Sequence, residues 1–192
     1  MEVKDAIYGR RSVRKYKPQP LDQQDILDIL EAGIMAPSAV NYQPWYFVAV
    51  RSPETLKEIK DIMQQAAATL DPILKERFPR HPQVVKDTKR FVGLLGDAPL
   101  CVMAFINKPD YKKADSTLIQ SVSAAIENML LMAFDKGIGS CWLTAPLETG
   151  MDQPLKERFA PEKGDMVAML TFGYPDQEPA MPRRKTGRYE II

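Results

Sequence analysis

Apolar and polar positions follow two rhythms along this chain, one of helices and one of buried strands. Val3, Ala6 and Ile7 recur at helical spacing and predict a short helix over 2–9 that ends at Gly9. Asp22 is a fair N-cap for a helix over about 23–36, with Ile26, Leu27, Leu30 and Ile34 on one face and Pro37 as its stop. A polar loop, Ala36 to Trp45, leads into Tyr46-Phe47-Val48-Ala49-Val50, which reads as a buried strand. Ser52-Pro53-Glu54 opens a helix to about Leu70, with proline at the favoured first position. Residues 71–87, with several prolines and mixed charge, read as an irregular excursion with short helical pieces.

The second half is more strongly patterned. Pro99 to Ile106 is a continuous apolar run and the best strand candidate. Asp115 caps a long helix to about Lys136. Its apolar positions, from Leu118 and Ile119 through Ile126 to Phe134, cover a wide face, as expected of a central buried helix stopped by Gly137. Ser140 to Thr144 is a short strand, Pro154 begins a helix to about Phe159, and Met166 to Phe172 is the last core strand, closed by Gly173-Tyr174-Pro175. Residues 176–192 do not read as core. They form either a disordered tail or an arm that packs on something else.

Composition narrows the class. The 192 residues, 45% hydrophobic and 27% charged, suit one globular domain over 1–192. A net charge of +1 provides no field that recruits nucleic acid. No stretch is expected to span a bilayer, and Met1-Glu2-Val3-Lys4-Asp5 leads into no apolar signal core. Cys101 and Cys141 sit in apolar runs and read as buried free thiols, so cytoplasmic residence is the default. The single histidine, His81, has no nucleophile elbow with it, and no metal-ligand spacing is visible. There is no phosphate-loop signature, and Gly137-Ile138-Gly139 lacks the third glycine of a dinucleotide fingerprint.

The remaining chemistry is cationic. Arg10-Arg11-Ser12-Val13-Arg14 sets three guanidinium forks and a hydroxyl within five residues. Such forks suit phosphate or carboxylate, although a charge run can equally be a solvated face. Arg183-Arg184-Lys185 has the same two readings. Ser38, Asn41 and Gln43 read as loop capping or as a ligand wall. Trp45, Trp142, Met129, Met132, Met166 and Met169 read as core packing. Glu127 is either polar surface or a partner for an arginine.

Three segments together resemble the FMN-dependent nitroreductase family: Arg10 to Arg14, the run Pro37-Ser38-Ala39-Val40-Asn41-Tyr42-Gln43-Pro44-Trp45, and Gly137-Ile138-Gly139-Ser140-Cys141-Trp142. The strand ending in Gly173-Tyr174-Pro175 with its basic tail adds a fourth. The resemblance implies an α+β sandwich in which a mixed central sheet of four core strands is flanked by helices. It also implies a homodimer in which the C-terminal arm, 176–192, adds a strand to the partner subunit. FMN would then lie between subunits. Arg10, Ser12 and Arg14 would hold its phosphate, ribityl chain and pyrimidine edge, with Arg11 and Arg184 at the phosphate. Pro37, Ser38, Ala39, Asn41 and Gln43 of the other subunit would line the ring. Ala145, Pro146, Leu147, Glu148 and Thr149 would run beside it, a backbone N–H of Glu148 or Thr149 reaching N5.

No side-chain nucleophile is implied, since flavin N5 is the reactive centre. The implied activity is hydride transfer from NAD(P)H to nitroaromatics, quinones or a similar flat acceptor by a ping-pong cycle. Rival readings are a same-fold dehalogenase, flavin-fragmenting enzyme or azoline oxidase, and a non-catalytic FMN-binding or sensor protein. Acceptor choice is expected to lie around residues 60–95.

Overall fold

A computed structural model describes residues 2–107 and 115–192. Four strands form one sheet: β1 (Trp45–Val50), β2 (Leu100–Ile106), β3 (Gly139–Leu143) and β4 (Met166–Gly173), in the order β1-β2-β4-β3. All three strand pairings are antiparallel. The sheet is thus antiparallel where a mixed one was expected; among the described residues the parallel element is an isolated bridge, Ser12 to Ser140.

β2 shows why the apolar runs are continuous. Side chains alternate across a strand, so Cys101, Met103 and Phe105 join one core while Leu100, Val102, Ala104 and Ile106 join the other. The first core is closed by α3 (Pro53–Arg77) and α4 (Pro82–Leu94), through Ile59, Met63, Leu70 and Phe91. The second is closed by α2 (Gln23–Ile34) and α5 (Asp115–Asp135), through Ile29, Ile126 and Met129. Among the described residues there are also three shorter α-helices, α1 (Val3–Gly9), α6 (Ala145–Thr149) and α7 (Asp152–Phe159). Trp45 and Met129 are buried in the second core, against which Met132 and Trp142 pack, and Met166 and Met169 are buried in the first. Both cysteines are buried and free.

Several expectations need correction. Residues 71–87 are not irregular: α3 continues through Pro72 to Arg77, and α4 returns against it as a helical hairpin. Proline removes the bond to the carbonyl four residues back, but Pro72 and Ala68 are on the exposed side of α3, where water can satisfy that oxygen. The inward stripe of α2 is Ile26, Ile29 and Gly33, whereas Leu27 and Ile34 are exposed. Asp22 precedes α2 without a side-chain capping bond. By length and composition α5 could cross a membrane, contrary to expectation; here it is the core helix, buried from Leu118 to Ala133 along one face.

Candidate functional site

The arginine run is an extended segment fixed to the edge of the sheet. The Val13 N–H donates to the Ser140 carbonyl at 2.8 Å, and the Lys17 N–H to that of Tyr174 at 2.9 Å. The buried Tyr16 hydroxyl donates to the Val13 carbonyl at 2.6 Å and lies 2.8 Å from Thr171 Oγ1. Burial pushes the Tyr16 phenol above its usual range, against the Thr171 hydrogen bond. Gly96 closes the clamp: its φ is +62°, and a Cβ there would lie 2.5 Å from the Arg14 carbonyl oxygen.

In an extended segment, residues two apart share a face. Val13 turns inward; burial raises the pKa of the nearby Cys141 thiol, and Arg14, a Ser12 hydrogen bond and Arg10 oppose the rise. Cys101, with burial alone, is pushed up to about 12. Arg14 stacks on Phe91 of α4, 5.9 Å from the ring centroid. Arg10 Nε donates to Glu127 Oε1 at 3.1 Å. Arg11 turns back instead, its Nη1 donating to the carbonyls of Tyr8 and Arg10 at 2.8 and 2.7 Å. A cavity of about 300 Å3 lies beside Arg10 and Arg11, walled by Phe134, Gly139 and the start of the tail at Gln177.

The stretch 145–149 is a one-turn helix, not a loop. It starts two residues after β3 ends, so it continues the edge on which Ser12 is bridged. The Leu147 and Glu148 N–H groups both donate to the Thr144 carbonyl, at 3.0 and 3.1 Å. Glu148 N–H, one of the two donors expected to face a flavin, is therefore spent within the helix. Its side chain accepts from Thr144 Oγ1 at 2.8 Å, and Thr149 Oγ1 donates to Ala145 O at 2.7 Å. Pro146, second in this helix, is the local signal for it.

The third wall stands elsewhere. Residues 37–43 lead into β1, at the opposite edge from β3, three strand spacings or about 14 Å across the sheet. Val40, Asn41 and Gln43 have φ of 51–52°. That region is costly for a β-branched valine. Local bonds hold it: Gln43 N–H donates to Ser38 Oγ at 2.9 Å and Gln43 Nε2 to Asn41 Oδ1 at 3.1 Å. The Ala39 N–H reaches Ser121 Oγ of α5 at 3.5 Å. Arg184 lies on the exposed arm. One chain thus strings Arg10, Arg11, Ser12 and Arg14 past the edge strand β3, sets α6 beyond the other end of that strand, and leaves Pro37 to Gln43 and Arg184 apart from them.

A model of the nitroreductase family matches residues 7–174. This chain belongs to that family. An Archaeoglobus fulgidus protein, provisionally named NADH dehydrogenase/NAD(P)H nitroreductase, is 33% identical over 174 residues, covering 90% of this chain and 84% of that protein. The iodotyrosine deiodinase of Thermotoga neapolitana is 27% identical over 192 residues, covering 98% and 94%. The crystal structure of a Bacteroides fragilis nitroreductase with bound FMN superposes with a TM-score of 0.75 at 25% identity, covering 100% of this chain and 99% of that one. In this nitroreductase-family chain, local spacing could not reveal two supports of the arginine run. Glu127 is 117 residues from Arg10, and Thr171 is 155 from Tyr16. Only the fold joins them.

Proposed function

We propose that this nitroreductase-family chain is an FMN-dependent oxidoreductase that uses NAD(P)H to reduce a flat acceptor, a nitroaromatic or quinone, by a ping-pong cycle. The observation that carries the reading is the extended run Arg10 to Arg14 clamped along the edge strand β3, with Arg10 held by Glu127 of α5 and Arg14 stacked on Phe91 of α4. The donor set suits the cofactor: a phosphate monoester carries roughly two negative charges at neutral pH, and charge-assisted bonds from guanidinium forks match it. Arg10 keeps both terminal amino groups free of the bonds described above, so it is the principal phosphate donor, with Arg11 in support. Ser12 meets the ribityl chain and Arg14 the pyrimidine edge. Positive charge there favours the reduced, anionic ring. When bound, FMN supplies the redox chemistry, taking hydride from NAD(P)H and returning it to the acceptor that next occupies the same face.

The second wall comes from a second copy. Pro37, Ser38, Ala39, Asn41 and Gln43 would line the ring across a homodimer interface, beside Pro146, Leu147, Glu148 and Thr149, with Arg184 returning on the arm. Exposed apolar groups support that pairing: Val3 and Ile7 on α1, and Tyr189, Ile191 and Ile192 on the arm. Single-domain organisation over 1–192 and residence in the cytoplasm, a compartment that keeps Cys101 and Cys141 reduced, complete the proposal.

The test is the colour and turnover of the purified protein. Released FMN together with NAD(P)H oxidation driven by a nitroaromatic or quinone is the expected result. FAD or no flavin overturns the reading, and tight FMN without turnover points to a binding protein. The deiodinase relative favours a second reading, reductive dehalogenation. Halide release from a halophenol, with nitroaromatics left unreduced, would establish it.

A further inference from the structure

Glu127 has no part in the reading above, yet it holds Arg10. The end of α1 is seated on α5 at two points. Phe134 lies two helical turns beyond Glu127 on the same face, and a Cβ on Gly9 would come within 2.5 Å of its ring. One residue later, Arg10 Nε donates to Glu127 Oε1 at 3.1 Å. The pair is half open to water, with side-chain exposures of 24% and 43%. Such a pair adds little to folding stability, so its effect is orientation. Nε is the inner donor of the guanidinium. Engaging it fixes the plane and leaves both terminal amino groups, with four N–H bonds, to point elsewhere. Arg11 shows the contrast, with Nη1 spent on two backbone carbonyls.

We infer that Glu127 is the positioning residue for Arg10: by accepting the Nε–H it aims the two terminal amino groups at the anionic oxygens of the cofactor. The inference rests on the FMN reading above. It predicts that freeing the Arg10 side chain returns an ordering cost to each binding event, about threefold to tenfold in affinity for one rotamer-rich side chain.

Two measurements on the full-length protein test it. In flavin-free protein, the Arg10 Nε–H proton should exchange slowly with water, and Glu127→Ala should speed it. With FMN titrated into the same samples, Glu127→Ala should raise Kd about threefold to tenfold, while Glu127→Gln, which keeps the acceptor, should bind like wild type. In an Arg10→Ala background, Glu127→Ala should then have no further effect. Unchanged exchange overturns the anchor. Equal losses in both backgrounds, or no rescue by glutamine, overturn the positioning role while wild-type FMN binding stands. If the wild type takes up no FMN, the functional reading fails, and this inference with it, whatever the exchange data show.

Discussion

The arginines at the two ends of this chain are chemically alike and structurally opposite. Those at 10–14 sit on backbone bonded to β3, with Tyr16 and Gly96 closing the clamp and Glu127 on the Arg10 side chain. Those at 183–184 sit on an arm tied at its base by the Asp176 N–H on the Lys15 carbonyl at 2.9 Å, beside a Lys15–Asp176 ion pair. Beyond it Tyr189 is 87% exposed. Ordering a residue costs about 1–2 kcal/mol in backbone entropy. The run has met that cost in folding, whereas the arm must meet it on binding or on pairing with a second copy. Equal charge therefore does not mean equal contribution. Under the proposed function, the clamped end would recognise the anion, and the free end would report that a partner is present.

The strongest attack on this contrast is removal of residues 176–192. The truncated protein should sediment as a monomer and lose its flavin while keeping a cooperative unfolding transition. A stable flavin-loaded dimer would show that the arm is dispensable. Next comes the clamp itself. Gly96→Ala forces a Cβ against the Arg14 carbonyl at positive φ. It should cost about 2–3 kcal/mol, seen as a fall of roughly 5–10 °C in Tm. The paired substitution compares the two ends directly. Arg10→Ala should weaken FMN about 10–100-fold, the worth of charge-assisted hydrogen bonds, and Arg184→Ala only about threefold to tenfold, because ordering its side chain offsets part of its gain. Tm should hardly move in either, and a reversed order in the FMN titration would invert the assignment.

The smallest effect is alkaline. Burial raises the Tyr16 phenol above its ordinary 10.0. Above pH 10 the unfolded chain releases that proton while the folded chain keeps it. The stabilisation is thus complete below pH 10 and is lost as pH rises beyond it, at up to about 1.4 kcal/mol per unit. Urea unfolding of Tyr16→Phe should show a loss of about 1–2 kcal/mol at neutral pH, from the missing hydroxyl, and a flatter decline above pH 10. Truncation of the arm should leave that slope untouched.

Much of this was legible before any coordinates. β2 appears in the sequence as an unbroken apolar run, and β4 as one broken only by Thr171, because each is buried on both faces, and α5 as a broad apolar stripe because it packs on α2 and the sheet. The α3–α4 hairpin was not, since its prolines signal breaks locally. Pro72 is tolerated only because it lies on a solvent face, and Pro79 and Pro82 mark the turn and the next helix start. The one-turn helix at 145–149, by contrast, does carry a local signal in Pro146, second in the helix.

By itself, then, the sequence determined that the four strands and α5 are core and that three arginines and a serine cluster at 10–14. Those properties follow from side-chain type and short-range periodicity. Only the tertiary structure decided which arginines are held ready and which are not. A guanidinium is oriented by the acceptors around it, and that of Arg10, Glu127, lies 117 residues away along the chain; the Tyr16 hydroxyl that clamps the run meets Thr171 Oγ1 across 155 residues.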